Sequence, residues 1–180
     1  YDQLGFGFHR YSTDQEWLVP HFEKMLYDQA MLSIAYTEAY HLTKKDVYKK
    51  IAIEILAYIK RDLTDQRGGF YSAEDADSEG EEGTFYIWSL EELSFLEKSE
   101  RDLSIEYFNL EDEGNYLDES TRKKNGKNIF HIKSLNNISD NRYEKIRTRL
   151  FEQRKKRIHP LKDDKILTKE RKQNKTRRPK

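Results

Sequence analysis

Apolar side chains recur at helical spacing early in the chain and predict a first helix. Pro20 suits its first turn, because proline fixes φ near the helical value and lacks the amide hydrogen that this turn leaves unpaired. The pattern continues through about His41. Its apolar positions are Phe22, Met25, Leu26, Ala30, Ile34 and Ala35.

A second helix is expected from Asp46, after a short polar break. Its apolar stripe consists of Val47, Ile51, Ile55, Ile59 and Leu63. Such a stripe is typical of a helix that packs one face against a core. Two helices joined by so few residues must pack antiparallel, so we expect a helical hairpin.

The middle of the chain predicts short strands and a third helix. Aromatic runs at residues 70–72 and 84–88 flank an acidic, glycine-bearing stretch, which is typical of two strands joined by a long loop. Ser89 and Glu92 have the spacing of a capping box, so a third helix is expected from Leu90 to about Lys98. Another strand is expected at residues 129–132.

A last helix is expected after Asp140, which can cap it. One side of this helix carries Tyr143, Ile146, Leu150 and Phe151. Residues 169–180 hold seven basic side chains, one acid and no large apolar residue to anchor them. We therefore expect a folded domain over residues 1–168 and a disordered basic tail over residues 169–180.

Length and composition fit one globular domain. The chain has 180 residues, of which 36% are apolar and 13% aromatic, and this is enough for a core. It has no cysteine, which excludes disulfides, thiolate zinc sites and cysteine nucleophiles within these residues. No run of about 18 apolar residues is present, so no segment is expected to span a membrane. With no signal peptide in the sequence, the cytoplasm is the default location.

The charges balance in number but not in position, since 33 basic residues face 33 acidic ones. Residues 72–119 hold 17 acidic and 2 basic side chains, whereas residues 120–180 hold 22 basic and 6 acidic ones. The basic end could contact phosphates, but no aromatic residue interleaves the tail to stack on bases, so nucleic acid is not an expected partner. A phosphate-cradling glycine loop and a serine nucleophile motif are both missing from the sequence.

Residues 7–12 and 17–28 concentrate two histidines, an arginine, a lysine, carboxylates and phenols. Histidine can exchange a proton near neutral pH without tuning, so His9 and His21 are candidates for acid–base chemistry. Lys24 and Asp28 are four residues apart and would share one face of the first helix. The alternative is a structural network, in which His21 bonds locally and Lys24 with Asp28 is an ordinary helix pair worth about 0.2–0.5 kcal/mol.

The acidic stretch at residues 74–83 supports a different chemistry. Counting from Asp75, acids at the first, third and fifth places and glycine at the sixth are similar to half of a calcium-binding EF-hand loop. The twelfth place is Tyr86 instead of the required glutamate, so we reject an EF-hand and assign no metal site. A solvated loop is the simplest interpretation. Alternatively, its carboxylates could accept sugar hydroxyls while Tyr71, Tyr86 and Trp88 stack on a sugar face.

Several stretches of the sequence are long and specific sequence motifs. They are residues 1–5, 7–12, 19–30, 68–80 and 163–168. In these motifs the chain closely resembles the spermatogenesis-associated protein 20 family, also called the YyaL-like or thioredoxin-domain-containing family. The resemblance covers roughly residues 1 to 168. Phe6 departs from it, because the family generally has glycine there.

The resemblance implies a fold. Family members carry a thioredoxin-like domain followed by an (α/α)6 barrel similar to six-hairpin glycosidases and N-acylglucosamine 2-epimerases. We therefore expect residues 1–168 to be a mainly α, incomplete (α/α)6 barrel with a short β-hairpin insertion. The thioredoxin-like part would precede this chain, and the barrel would be cut within it.

The resemblance also implies two classes of function. In the first, the barrel handles a small carbohydrate as an epimerase or as a glycosidase, and this part of it is expected to be inactive alone. Epimerase chemistry would use His9 and His21 as proton carriers, whereas hydrolysis would use Asp28 and Asp75. In the second, the region is a non-catalytic binding module that supports a redox or protein-quality role of the thioredoxin-like domain.

The candidate residues follow from these classes, and neither a cofactor nor an oligomeric state is assigned. The catalytic candidates are His9, His21 and Asp28. The candidate substrate-binding residues are Arg10, Tyr11, Glu23, Lys24, Tyr71, Glu74, Asp75 and Asp77.

Overall fold

The computed structural model of the chain describes residues 1–117, 123–133 and 141–166. Most of the strands within these residues are only two residues long. In chain order the elements are β1 (Tyr11–Ser12), β2 (Pro20–His21), β3 (Lys24–Met25), α1 (Leu26–Thr43), α2 (Asp46–Asp62), β4 (Tyr71–Glu74), β5 (Asp77–Ser78), β6 (Glu81–Glu82), β7 (Trp88–Ser89), a 3-10 turn (Glu91–Leu93), α3 (Lys98–Phe108), β8 (Lys127–Asn128), α4 (Asn141–Arg154) and β9 (Lys162–Ile166).

The fold is mixed, and the expectation of a mainly α, partial (α/α)6 barrel is wrong. The structure is 41% helical with 18% strand in small antiparallel sheets. A barrel of this kind repeats helical hairpins, but the chain leaves α2 and forms strands β4 to β7 before the next α-helix begins. The acidic stretch thus belongs to the sheets, with β5 and β6 paired as a small hairpin.

The first helix begins later than the sequence pattern predicts. Pro20 and His21 form β2, which pairs with β1, and Lys24 and Met25 form β3, which pairs with β4. Helix α1 therefore begins only at Leu26. Helix α2 begins at Asp46 as predicted and packs against α1.

A three-stranded antiparallel sheet brings distant parts of the chain together, in the order β3–β4–β9. Lys24 lies opposite Glu74 in its register, and Ala73 lies opposite Asp163 on the other side. Strand β9 was not expected, although it contains part of the distinctive word at residues 163–168. The sheet fixes Lys24 and Glu74 beside each other next to the start of α1.

The predicted strand at residues 84–88 is wrong over most of its length, because a side chain takes its carbonyl groups. Nη1 of Arg157 donates to the carbonyl oxygens of three residues in this segment. They are Thr84 at 3.2 Å, Phe85 at 2.9 Å and Ile87 at 2.8 Å. The guanidinium also lies 4.0 Å from the ring centre of Trp88. The segment is therefore a turn that leads into β7.

The third helix is displaced toward the C-terminus. Ser89 donates its backbone amide to Glu92 at 2.7 Å as the predicted capping box requires, but only a 3-10 turn follows. Helix α3 begins at Lys98, and its capping box is formed by Glu97 and Glu100. Residues 129–132 are not a strand, and the neighbouring strand β8 is Lys127–Asn128.

The core is divided between two clusters of buried side chains. The larger one lies between α3, α4 and the segment around Trp88, and it includes Phe108, Tyr143 and Leu150. The smaller one surrounds Phe22. The last helix occupies Asn141–Arg154, while its predicted cap Asp140 and the predicted tail at 169–180 lie outside the described residues. None of the helices that the structure describes is both long and apolar enough to cross a membrane.

Candidate functional site

A buried ion-pair cluster lies at the centre of the candidate site. Nζ of Lys24 donates to Asp2 at 2.7 Å and to the carbonyl oxygen of Phe6 at 2.9 Å. The Nη atoms of Arg154 donate to the two oxygens of the same Asp2 carboxylate at 2.8 and 2.7 Å. Relative exposure is only 1% for Lys24, 5% for Asp2 and 3% for Arg154. One buried carboxylate thus bridges two buried cations.

Three different parts of the chain supply this cluster. Lys24 comes from β3, Arg154 is the last residue of α4, and Asp2 lies in the N-terminal turn. The Asp2 carboxylate also accepts the backbone amides of Leu4 and Gly5, each at 3.0 Å. A side chain at Gly5 would collide with the Arg154 guanidinium, so this position needs glycine for the close approach.

The electrostatics of the cluster favour its charged form. Burial alone would raise the pKa of Asp2, but Arg154 and Lys24 together hold that pKa well below its usual range. Burial lowers the pKa of Lys24, and the negative charges of Asp2 and Glu74 oppose this change. The ammonium also lies 4.6 Å from the ring centre of Tyr58 and 5.1 Å from that of Tyr86, in favourable cation–π geometry.

Beside the cluster lies a cavity of about 270 Å³, which we call the inner cavity. Its buried lining includes Lys24, Tyr58, Glu74, Phe85, Tyr86 and Arg154. The exposed side chains of Lys155 and His159 also line it and mark its open side. Oε2 of Glu74 accepts the hydroxyl of Tyr58 at 2.7 Å. The cavity therefore combines a buried carboxylate with aromatic walls.

A second cavity of about 440 Å³, the N-terminal cavity, shares Asp2, Tyr86 and Arg154 with the inner one. His9, Arg10 and Tyr11 line it, together with mainly apolar and aromatic residues. The two cavities thus have in common Asp2 and Arg154 of the ion-pair cluster, together with Tyr86.

His9 is held in a neutral state where it lines the N-terminal cavity. Its Nδ1 lies 2.9 Å from the carbonyl oxygen of Phe22, and since a carbonyl only accepts, Nδ1 carries the hydrogen. Burial lowers the pKa of His9 well below its usual range, and the charge of Lys24 adds to this effect. The ring meets Tyr86 edge-on at 4.8 Å between ring centres. His9 is therefore a neutral imidazole at physiological pH.

Other candidates form an outer cluster on the surface, which consists of Arg10, Tyr11, His21, Glu23 and Glu82. Nη1 of Arg10 donates to Glu23 at 2.8 Å, and Nδ1 of His21 lies 2.7 Å from Oε1 of Glu82. Tyr11 stacks on His21 with 4.9 Å between ring centres. His21 also lies 3.7 Å from Glu23. These contacts join the strand pair β1–β2 to the acidic hairpin.

The remaining candidates lie apart from both groups. Asp28 is in the first turn of α1, where one carboxylate oxygen is buried without a hydrogen-bond partner and burial raises its pKa. The hydroxyl of Tyr71 donates to Asp65 at 2.9 Å. Asp75 is exposed and accepts the backbone amide of Ala76 at 2.7 Å. Asp77 is exposed on β5.

The structure thus brings only some of the predicted residues together. Lys24 and Glu74 share the inner cavity, and His9, Arg10 and Tyr11 share the N-terminal one. The pairing of Lys24 with Asp28 on one helix face is wrong, because Lys24 lies on β3 and bonds to Asp2. In the part of the chain that the structure describes, no three His, Asp or Glu side chains are grouped closely enough to hold a metal ion.

Sequence reasoning missed three members of the central group, which are Asp2, Tyr58 and Arg154. A signal for Arg154 was present in α4. The buried residues of that helix are Tyr143, Ile146, Arg147, Leu150 and Arg154. The two arginines follow the apolar spacing of the helix, and a cation in phase with an apolar stripe indicates burial with a partner. The partner of Arg154 lies 152 positions away and has no local signature.

Comparison with known proteins adds the family context. No family model matches the chain. Spermatogenesis-associated protein 20 of Homo sapiens is 37% identical over 195 residues, which cover 92% of this chain and 25% of that protein. The protein of the same name from Mus musculus is 52% identical over 101 residues, which cover 53% of this chain and 13% of that protein. The one from Rattus norvegicus is 35% identical over 195 residues, with coverage of 92% and 25%. The chain therefore spans about a quarter of the length of the human and rat relatives.

Proposed function

The chain belongs to the spermatogenesis-associated protein 20 family, and from this premise we propose that it binds a small carbohydrate-like molecule in the inner cavity without converting it. The observation that carries the proposal is the pairing of the buried Glu74 carboxylate with the rings of Phe85 and Tyr86 around one cavity. A carboxylate accepts sugar hydroxyls, and aromatic rings cover the apolar faces of sugars.

The inner cavity has the size and the free acceptor that such a ligand needs. Its volume of about 270 Å³ lies near the lower end of small-molecule pockets, which suits a ligand of one sugar unit. Oε2 of Glu74 is engaged by Tyr58, which leaves Oε1 for a ligand hydroxyl. The hydrogen bond from Tyr58 and the strand pairing of Glu74 with Lys24 hold Glu74 in place before the ligand arrives, so little ordering accompanies binding.

The positions of the histidines favour binding over proton exchange. Epimerisation beside a sugar carbonyl needs two groups that give and take protons at one carbon. His9 lines the N-terminal cavity, whereas His21 lines neither cavity and contacts the carboxylates of the outer cluster. The carboxylate pair considered for hydrolysis, Asp28 and Asp75, is divided between the first turn of α1 and an exposed turn after β4.

Calorimetric titration tests the proposal. The full chain would be titrated with D-glucose, N-acetyl-D-glucosamine, D-sorbitol, D-gluconate and D-glucuronate. We expect saturable binding of at least one of them, weakened tenfold or more by Glu74→Gln. This variant keeps the size of the side chain and an acceptor for Tyr58. Asp77→Asn is the matched control, because Asp77 is exposed on β5 and should not affect affinity. If none of the five compounds binds, the proposal is wrong.

Isotope exchange separates binding from catalysis. A sugar that binds would be incubated with the protein in heavy water, and deuterium at the carbon beside its carbonyl would be followed by NMR. We expect no incorporation beyond the rate in buffer. Incorporation that His9→Gln abolishes would show that the region is an epimerase and would overturn the non-catalytic assignment.

A further inference from the structure

We propose that the ligand of the inner cavity is acidic, namely a polyhydroxylated molecule with a carboxylate, such as an aldonic or uronic acid. This inference rests on the proposed function and names the ligand class of the same site. It comes from two buried polar atoms of residues that line the cavity, neither of which has a hydrogen-bond partner among the residues that the structure describes. These are Nε of Arg154 and the hydroxyl of Tyr86.

Both atoms are buried hydrogen-bond donors. Relative exposure is 3% for Arg154 and 7% for Tyr86, and neither atom has a partner among the described residues. Buried polar groups in folded proteins are almost always hydrogen-bonded, so a pair of orphaned donors beside one cavity needs an explanation. The guanidinium carbon of Arg154 lies 5.3 Å from the ring centre of Tyr86, which places the two side chains against each other.

The missing partner must be an acceptor. Arginine stays protonated at any physiological pH, and burial raises the pKa of Tyr86 well above its usual range, so its hydroxyl keeps the hydrogen. The Nη atoms of Arg154 already donate to Asp2, so Nε is the part of this guanidinium left for a ligand. A neutral sugar hydroxyl is a weaker acceptor for an arginine than a carboxylate, because the hydrogen bond between two charged groups is the stronger one.

The charge of the lining agrees with a single negative charge on the ligand. Four Lys and Arg side chains and three Asp and Glu side chains line the inner cavity, a formal excess of one positive charge. A carboxylate balances this excess, whereas a neutral polyol leaves it uncompensated. Glu74 lies in the same cavity and disfavours an anion at its own position, so we expect the carboxylate near Arg154 and Tyr86 and the hydroxyls near Glu74.

The titration that tests this inference compares acids with matched neutral polyols. D-gluconate would be compared with D-sorbitol, D-glucuronate with D-glucose, and acetate would serve as the carboxylate without hydroxyls. We expect each acid to bind at least tenfold more tightly than its neutral counterpart, and acetate to bind more weakly than either acid. Tyr86→Phe should reduce the preference for acid about fivefold or more, because it removes one donor and keeps the ring.

Two further variants keep the result interpretable. Tyr86→Phe removes a buried hydroxyl that has no partner among the described residues, so its thermal melt should be no lower than that of the parent protein. A lost preference for acid in this variant would then not reflect unfolding. Arg10→Gln alters a residue that lines only the N-terminal cavity, and it should leave the affinity for gluconate unchanged. A loss of gluconate affinity in Arg10→Gln would place the acid in the other cavity and overturn the inference.

The outcomes separate this inference from the function on which it rests. If neutral sugars bind as tightly as the acids, the cavity binds carbohydrate but the acidic assignment is wrong. If acetate binds as tightly as gluconate, the site is a simple anion site, and the inference is again wrong. If no acid and no neutral sugar binds, the proposed function fails together with it.

Discussion

Lys24 and Asp2 form an ion pair inside the protein, with 2.7 Å between the ammonium nitrogen and a carboxylate oxygen and side-chain exposures of only 2% and 3%. Removing two charges from water costs several kcal/mol for each ion, and their attraction offsets this only when the geometry is good and further hydrogen bonds are present. Asp2 meets that condition because Arg154 and two backbone amides also bond to it.

Asp2→Asn should therefore destabilise the protein strongly. The substitution leaves the ammonium of Lys24 and the guanidinium of Arg154 buried without their counter-charge, which typically costs about 3–5 kcal/mol. Urea unfolding at neutral pH measures this change. The matched control Asp77→Asn, at an exposed position on β5, should stay within about 0.5 kcal/mol of the parent. A loss below about 1 kcal/mol for Asp2→Asn would mean that the cluster is more hydrated than its burial indicates.

His9 should make the stability depend on pH in the mildly acidic range. Its pKa in the folded protein lies well below 6.5, while in the unfolded chain it is ordinary, so below about pH 6.5 the unfolded state binds the extra proton. Stability contributed by neutral His9 is thus complete above that pH and falls as pH falls, by up to about 1.4 kcal/mol per unit.

Urea unfolding of His9→Gln between pH 7 and pH 5 checks this expectation. The variant should show a shallower loss of stability than the parent over this range. His41→Gln is the control, because His41 is exposed near the end of α1 and its removal should leave the slope of the parent intact. Equal slopes in His9→Gln and the parent would show that His9 is readily protonated in the fold.

Gly83 should tolerate alanine much less well than Gly80. Both residues have positive φ, +77° and +84°, so alanine is strained at either position by about 1–2 kcal/mol. At Gly80 an added Cβ would meet nothing within 4 Å, whereas at Gly83 it would lie 2.5 Å from Cε2 of Phe22. Thermal melts should therefore show that Gly83→Ala is less stable than Gly80→Ala by about 1–3 kcal/mol. Equal melts would show that the acidic hairpin does not pack tightly on Phe22.

Asp28→Asn should stabilise the protein at neutral pH. Burial raises the pKa of Asp28, and Arg10 only partly opposes this, so ionisation above pH 3.8 costs stability that the amide would restore. The same change at Asp46, an exposed residue in the first turn of α2, should instead destabilise by about 0.3–1 kcal/mol through the lost helix-dipole interaction. Melting temperatures at pH 7 compare the two, and a lower value for Asp28→Asn would contradict the prediction.

The local pattern of apolar residues was sufficient to predict an element where that pattern has one clear helical period. Helix α2 begins where its stripe begins, because its apolar face and its neighbour α1 are both local in sequence. It failed at Pro20, whose fixed φ suits a helix start and a strand edge alike, and pairing with β1 decided between them. The strand predicted at residues 84–88 was lost because Arg157, about 70 positions away, takes its carbonyl groups.

The candidate site was predictable only in part for the same reason. Lys24 and Glu74 stand out as charged residues within the distinctive sequence motifs. Their roles, however, depend on residues that lie far apart in sequence, namely Asp2, Tyr58 and Arg154. The pairs that give Lys24 its environment are tertiary contacts with no periodic signature. The alternative role of the region as a support for a thioredoxin-like domain stays a prediction, since no contact among the described residues tests it.

The bond between Asp2 and Arg154 joins residues 152 positions apart and has a consequence for the order of folding. At a synthesis rate of about 5–20 residues per second, Asp2 and Lys24 leave the ribosome many seconds before α4 is available. Contacts this distant form late, because the long loop must close before they stabilise anything. The most strongly charged part of the interior therefore stays hydrated during synthesis, and the ion pairs of Asp2 and Lys24 are buried only once α4 is available.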